Sequence, residues 1–327
     1  MQKFSEFMQE WLYGENGYYR TLRVGKKGDF YTSVSVSAFF GYSIANYLLE
    51  FLQNYTNKHL AIVEIGAEKG NLISDVAFYL QHKTGLKNVE FATLEPLLEL
   101  HTTQKETFSN VCKGPNLRVF QNFKELKEEK FDFIIYLSNE LLDAFACELY
   151  YKGKMAFVED FTLQFLPKEN LDSNFIGEIP VGACEFVKEL ESCAKEWLFI
   201  TFDYGSKQKR GEFSLRFYKE HSTQNLFKNE KEQNFDLKEN FGKWDITYDV
   251  DFSLWEEEFK KAGAKELFFG RQNRILVDFG LDKVGEWYIH TFGLESFMHH
   301  SSKIRTLIDP ALLGERFFGI GFLKSIK

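Results

Sequence analysis

Apolar residues fall along this chain in two rhythms. Short, nearly unbroken runs at Leu60–Ile65, Val89–Leu94, Leu117–Phe120, 131–137 and 197–202 predict strands buried on both faces of a parallel sheet. Between the first two, Leu72, Ile73, Val76, Ala77 and Leu80 recur at helical spacing. A long amphipathic helix is predicted over 33–53, where Val36, Phe39, Phe40, Ile44, Tyr47, Leu48, Phe51 and Leu52 share a face and Ser33 and Ser35 are cap candidates. Segments 148–151 and 155–158 flank Lys152, Gly153 and Lys154 as a hairpin would. Residues 206–250 are polar and irregular, with charge-rich material around 228–238 that predicts a mobile loop. A further helix is expected over 252–262 and a closing strand over 316–324. Strands alternating with helices predict an α/β fold with a mainly parallel sheet, helices on both faces, antiparallel additions near the C-terminus, and insertions.

One catalytic core is expected rather than two independent domains. Residues 1–57 form an N-terminal segment and helix packing on it, and residues 58–327 form the core, with insertions at about 151–195 and about 206–290.

The first strand runs into a turn bracketed by Gly66 and Gly70, with Glu64 near the strand's end. A strand that turns sharply into a helix lets the backbone approach a ligand closely, and glycine removes the side chain that would block it. The dinucleotide fingerprint GxGxxG fails here because Glu68 holds its middle position. The second strand ends in Glu95, about one βαβ unit after Glu64. A carboxylate there can accept hydrogen bonds from both ribose hydroxyls of an adenosine-bearing cofactor.

Composition narrows the classes. With 327 residues, 44% of them hydrophobic, the chain can bury a large core, and its 36 phenylalanines fall at core-like positions. A formal net charge of −8 argues against a nucleic-acid partner held by phosphate contacts. Cys112, Cys147, Cys184 and Cys193 show no CxxC spacing, so reduced thiols are expected and a metal site is not. No run of about eighteen uncharged apolar residues predicts stable membrane insertion. The N-terminus lacks a signal-peptide core and an Arg-rich presequence, so the bacterial cytoplasm is the expected location.

Ligands in open α/β sheets bind at the carboxyl ends of the strands. Glu64, Glu95, Asn139, Glu140, Asp143 and Asp203 are all expected on or near that edge. An amide such as Asn139 can hydrogen-bond a nucleophile, and the Glu140 carboxylate can orient a cationic one. Asp143, three residues on, faces the same way if this turn is helical. The competing reading makes each acid a first-turn charge complementing a helix dipole, worth under about 1 kcal/mol.

The motifs in order resemble those of the MidA-like S-adenosylmethionine-dependent methyltransferases, whose mitochondrial members are complex I assembly factors. The family's GDFxTSxExS pattern stands here as Gly28 through Ser37, its ExGxGxGxL as Glu64 through Leu72, and its EPSxxLxxxQ as Glu95 through Gln104. Its NExxDAxP stands as Asn139 through Ala146, and its DYG as Asp203, Tyr204 and Gly205. Leu215 through Tyr218 with His221 resembles LRxYxxH, and Asp245 through Phe252 resembles DITxHVDF.

This resemblance implies a Rossmann-like class I fold, S-adenosyl-L-methionine as cofactor, and a protein substrate methylated on a side-chain nitrogen, arginine favoured; a respiratory-complex subunit is the implied partner. On it, Glu64, Gly66, Gly70, Glu95 and Asn139 bind the cofactor, and Glu140, Asp143, Asp29 and Asn139 are the catalytic candidates.

The chain departs from the pattern at several points. Ala146 replaces the proline, Asp249 the histidine, His101 the arginine, Leu97 and Leu98 the Ser-Pro, and Phe213 and Ser214 a Gly-Thr. Glu68, in place of the middle glycine, is the most consequential. At positive φ it costs about 1–2 kcal/mol. Its carboxylate about 4 Å from the cofactor's own would repel it by roughly 4 kcal/mol at an effective dielectric of 20. The alternative function is therefore a methyltransferase fold that has lost catalysis and serves as a protein-binding or assembly module. A nicotinamide-dependent oxidoreductase ranks third.

Overall fold

The computed structural model describes residues 1–21, 32–55, 57–84, 89–169, 172–208, 210–220 and 222–326. They form two compact units interleaved along the chain: Met1–Phe30, Leu142–Glu185 and Tyr204–Glu257 make one, and Tyr31–Leu141, Phe186–Asp203 and Glu258–Lys327 the other.

The second unit is built on seven strands: Leu60–Ile65 (β1), Val89–Leu94 (β2), Leu117–Phe120 (β3), Phe133–Asn139 (β4), Glu196–Ser206 (β5), Lys265–Arg271 (β6) and Phe317–Lys324 (β7). Their order is β3-β2-β1-β4-β5-β7-β6. The pairs β2–β3, β1–β2, β1–β4 and β4–β5 are parallel, while β6 and β7 are antiparallel. Every residue of β1 is buried, as are the first six of β4, which explains why both read as continuous apolar runs. Chain order reverses between β1 and β4, the switch point where an open sheet leaves a crevice at its carboxyl edge. This is the Rossmann-like α/β arrangement that the resemblance implies, with an antiparallel C-terminal addition.

The single helix predicted over 33–53 is two, Ser33–Val36 (α1) and Phe39–Asn54 (α2). Ser37 between them is extended, and its hydroxyl accepts the Phe39 N–H at 3.3 Å. Thr32 caps α1, its hydroxyl accepting the Ser35 N–H at 3.1 Å while the Ser35 hydroxyl accepts the Thr32 N–H at 3.0 Å. Side-chain hydroxyls that compete for backbone groups thus break a helix that apolar spacing alone runs together. Asn71–Thr84 (α3) and Leu98–Val111 (α4) follow β1 and β2. The fourth strand lies two residues later than predicted. Strand β6 and the helices Gln272–Asp278, Leu281–Phe292, Leu294–Met298 and Ser301–Ile308 fill a stretch for which no element was expected.

The first unit carries a five-stranded antiparallel sheet in which the 148–158 hairpin forms as predicted, Tyr150 opposite Met155 and Tyr151 opposite Lys154. Lys152 and Gly153 are both left-handed, as a two-residue hairpin turn demands. The stretch 206–250, expected to be irregular, instead carries strands among its described residues, and its charge-rich part buries Phe235 and Leu237. Arg216–Lys219, Ser222–Asn225 and Asp245–Thr247 make a three-stranded sheet. Phe217, Leu226, Phe235, Leu237, Ile246 and Tyr248 are buried with Phe4, Phe7, Met8, Trp11 and Leu12 of the helix Phe4–Tyr13. Phe217 stacks on Phe235 with centroids 3.8 Å apart and meets Trp11 at 5.2 Å. Strands of three or four residues are too short to show a period, so burial by aromatic packing left no sequence pattern to read. Among the described residues no helix is long and apolar enough to cross a membrane.

Candidate functional site

The turn after β1 is made of alternating left-handed residues: Gly66 at φ +70°, Glu68 at +46° and Gly70 at +77°. A Cβ on Gly66 would come 3.3 Å from Leu141 Cδ1, and one on Gly70 3.4 Å from Gln104 Cα and Cβ. Both glycines therefore serve a conformation and a close approach within this unit. Glu68 adopts the same left-handed backbone without being glycine. Its side chain is 64% exposed, with Lys69 Nζ 3.6 Å from its carboxylate. Solvent and lysine screen that charge, so the repulsion expected for a buried carboxylate is much reduced.

Glu64 is 4% exposed. Its carboxylate accepts the Ile73 N–H at 2.9 Å, capping the first turn of α3. Burial pushes its pKa up to about 8, against the pull of that hydrogen bond, and burial does the same to Asp75, also to about 8. Between its ordinary 4.5 and about 8, folded Glu64 keeps a proton that the unfolded chain has released. Stability therefore falls as pH rises across that window and levels off above it. The slope is at most about 1.4 kcal/mol per pH unit for each such proton. In thermal melts between about pH 5 and about pH 8, Glu64→Gln should lose stability less steeply than the native chain. Parallel curves would contradict a protonated Glu64.

Glu95, at the tip of β2, is also 4% exposed. One carboxylate oxygen accepts the Leu97 N–H at 3.0 Å and the other the Gln104 amide at 3.2 Å. Burial raises its pKa, and these two hydrogen bonds pull it back down. His101, in place of the family arginine, sits with Nε2 2.8 Å from the Glu95 carbonyl oxygen. In the sequence Gln104 is marked only as the last position of the EPSxxLxxxQ pattern. Its position on α4 behind the Glu95 carboxylate became visible only with the fold.

At the end of β4 the Asn139 amide donates to Glu140 Oε1 at 2.9 Å. Asn139 Oδ1 is buried and, among the described residues, has no hydrogen-bond partner. Glu140 is left-handed at φ +52°, its N–H donating to the Phe202 carbonyl of β5 at 2.9 Å. Asp203, fully buried, accepts the Leu141 N–H at 3.1 Å and so pins the turn that presents Glu140. Because Glu140 is left-handed and the 3-10 turn spans only Leu142–Ala144, the helical face that Glu140 and Asp143 were expected to share is not formed. Glu64, Glu95, Asn139, Glu140 and Asp203 all lie at the carboxyl ends of the strands of one sheet.

Asp143 belongs to the first unit. It is 3% exposed, and burial pushes its pKa up to about 7, opposed by Arg216 and reinforced by Asp249. Arg216 binds Asp249 at 2.6 Å, Arg210 pairs with the other Asp249 oxygen, and the Arg216 guanidinium lies 5.7 Å from the rings of both Tyr204 and Tyr218. The aspartate that replaces the family histidine is thus neutralised by two arginines. Asp29 lies outside the described residues.

A family model described as "Putative S-adenosyl-L-methionine-dependent methyltransferase" matches residues 43–170 and 160–269. The mitochondrial protein arginine methyltransferase NDUFAF7 homolog of Caenorhabditis elegans is 25% identical over 266 residues, covering 70% of this chain and 60% of its own length. The chain thus spans less than two thirds of that relative. A Burkholderia thailandensis structure bound to S-adenosyl-homocysteine has the same fold, with a TM-score of 0.81 at 23% identity over 98% of this chain and 87% of its own. A native structure from that organism scores 0.78 at 23% identity, over 98% and 86%. With the model matching most of the chain and the motif order agreeing, the chain belongs to the MidA-like family of S-adenosyl-L-methionine-dependent methyltransferases.

Proposed function

We propose that this chain methylates a side-chain nitrogen of a protein, with arginine the favoured acceptor, and that it does so at the carboxyl edge of the β1–β4 sheet. The observation that carries the reading is the placement there of two carboxylates fixed for different tasks. Glu95 is buried and braced at the end of β2, and Glu140 is presented by a pinned left-handed turn after β4.

S-adenosylmethionine, when bound, supplies an electrophilic methyl group on a sulfonium. The residues fit such a group. Glu95 has the acceptor capacity for ribose hydroxyls. The left-handed turn from Gly66 to Gly70 brings backbone close, and the orphaned Asn139 Oδ1 needs a donor. Glu64 acts beneath them by capping α3.

A guanidinium is a weak nucleophile because its charge is shared over three nitrogens. The Glu140 carboxylate binds and aligns it, drawing positive charge away from the attacking nitrogen. A nitrogen–carbon bond would form as the sulfur–carbon bond breaks, S-adenosylhomocysteine leaving as the neutral thioether and the attacking nitrogen's proton passing to solvent. Asn139 holds Glu140 in place through its amide. Asp143 and Asp29 remain weaker candidates for the same role.

The C. elegans relative named as a protein arginine methyltransferase supports arginine as acceptor. A protein partner, such as a respiratory-complex subunit, and a cytoplasmic setting complete the proposal. The test is transfer of labelled methyl groups from S-adenosylmethionine to proteins of an extract, followed by hydrolysis to amino acids. Label in methylarginine supports the reading; label confined to another amino acid overturns the choice of acceptor.

A further inference from the structure

Gln104 is fully buried on α4 and makes three hydrogen bonds to three different parts of the second unit. Its Nε2 donates to the Glu95 carboxylate at 3.2 Å and to the Glu68 carbonyl at 3.0 Å, and its Oε1 accepts the Thr93 hydroxyl at 2.6 Å. These partners leave the amide one orientation. Turned over, its oxygen would face a carboxylate and a carbonyl, which offer no hydrogen. Gly70 has no side chain where Gln104 Cα and Cβ approach, so α4 seats directly against the turn.

We propose that Gln104 is a positioning residue for the cofactor's ribose: it holds the Glu95 carboxylate ionised and aimed, and ties that carboxylate to the left-handed turn through the Glu68 carbonyl. The proposal rests on the reading of Glu95 as the ribose acceptor. A carboxylate with only the Leu97 N–H to hold it would swing and bind protons more readily. The turn's carbonyl is an acceptor whatever side chain residue 68 carries, so the tie survives the replacement of the family glycine by Glu68.

The experiment compares S-adenosylhomocysteine with its 2′,3′-dideoxyribose analogue by calorimetry, on the native chain and on Gln104→Met. The native chain should prefer the hydroxylated ligand. In Gln104→Met that ligand should weaken about tenfold, as for one lost hydrogen bond to a charged group, while the dideoxy analogue changes less than about twofold. The variant's remaining affinity for S-adenosylhomocysteine should also fall on acidification more than the native chain's does, because the carboxylate that lost a donor binds protons more readily. Equal weakening of both ligands would show a merely structural role and overturn the proposal, as would no weakening of either. A native chain that does not distinguish the ligands overturns the ribose reading of Glu95, and the proposal with it. Gln104→Leu, which supplies an apolar side chain of similar size and loses the donor, gives the same comparison if Gln104→Met fails to fold; it should lose the hydroxylated ligand selectively, and uniform loss again overturns the proposal.

Discussion

Glu140→Gln should lower turnover by about 10²–10³-fold while leaving cofactor affinity within about threefold. Preorganised charge aimed at a reacting group is worth that much in a water-poor site. The substitution keeps the size and hydrogen-bonding oxygen of the side chain, so the Asn139 amide retains an acceptor and the turn retains its bonds from Glu140 to Phe202 and from Leu141 to Asp203. What is lost is the negative charge that aligns a guanidinium. A fall in turnover with little change in affinity marks an interaction made with the acceptor in the transition state. Undiminished turnover would remove Glu140 from the catalytic assignment and leave Asp143 and Asp29 to be tried.

Glu95→Ala should have the opposite signature. Cofactor affinity should fall by about a hundredfold or more, since two charge-assisted hydrogen bonds to ribose vanish together at about 1.5–3 kcal/mol each. The variant also strands the Gln104 amide, which then keeps only the Glu68 carbonyl as acceptor. A check that the fold is intact, by circular dichroism, separates lost binding from lost structure. Titration of S-adenosylhomocysteine into a folded Glu95→Ala chain with affinity near native would contradict the assignment of Glu95 to the cofactor.

The sheet that carries these residues was legible because its central strands are buried on both faces and so run as unbroken apolar segments, with Glu64 near the end of one, Glu95 and Asp203 directly after two others, and Glu140 three residues after a fourth. The turn chemistry was half legible. Glycine at positions 66 and 70 announces a left-handed backbone and the family pattern extends it to Glu68, whereas Glu140 adopts it against its residue type and shows nothing in sequence. The brace behind Glu95 was hidden because it depends on α4 crossing behind β2. The helix Phe4–Tyr13 carries a helical apolar spacing in Phe4, Phe7, Met8, Trp11 and Leu12, where the sequence analysis gives only an N-terminal segment. The 206–250 region failed for another reason: its buried aromatics are isolated in a polar background and find each other only in three dimensions.

The central claim is that this chain, with Glu68 in its glycine turn, is a working methyltransferase rather than a scaffold. Its left-handed glutamate strains the backbone by about 1–2 kcal/mol, a cost to folding, while its side chain is 64% exposed and paired with Lys69. The direct measurement is a calorimetric titration of S-adenosylmethionine into the native chain and into Glu68→Gly. Micromolar, one-to-one binding by both, within a few-fold of each other, is the predicted result. No binding by the native chain, restored by the glycine, would contradict the account and point to a fold retained for its contacts alone.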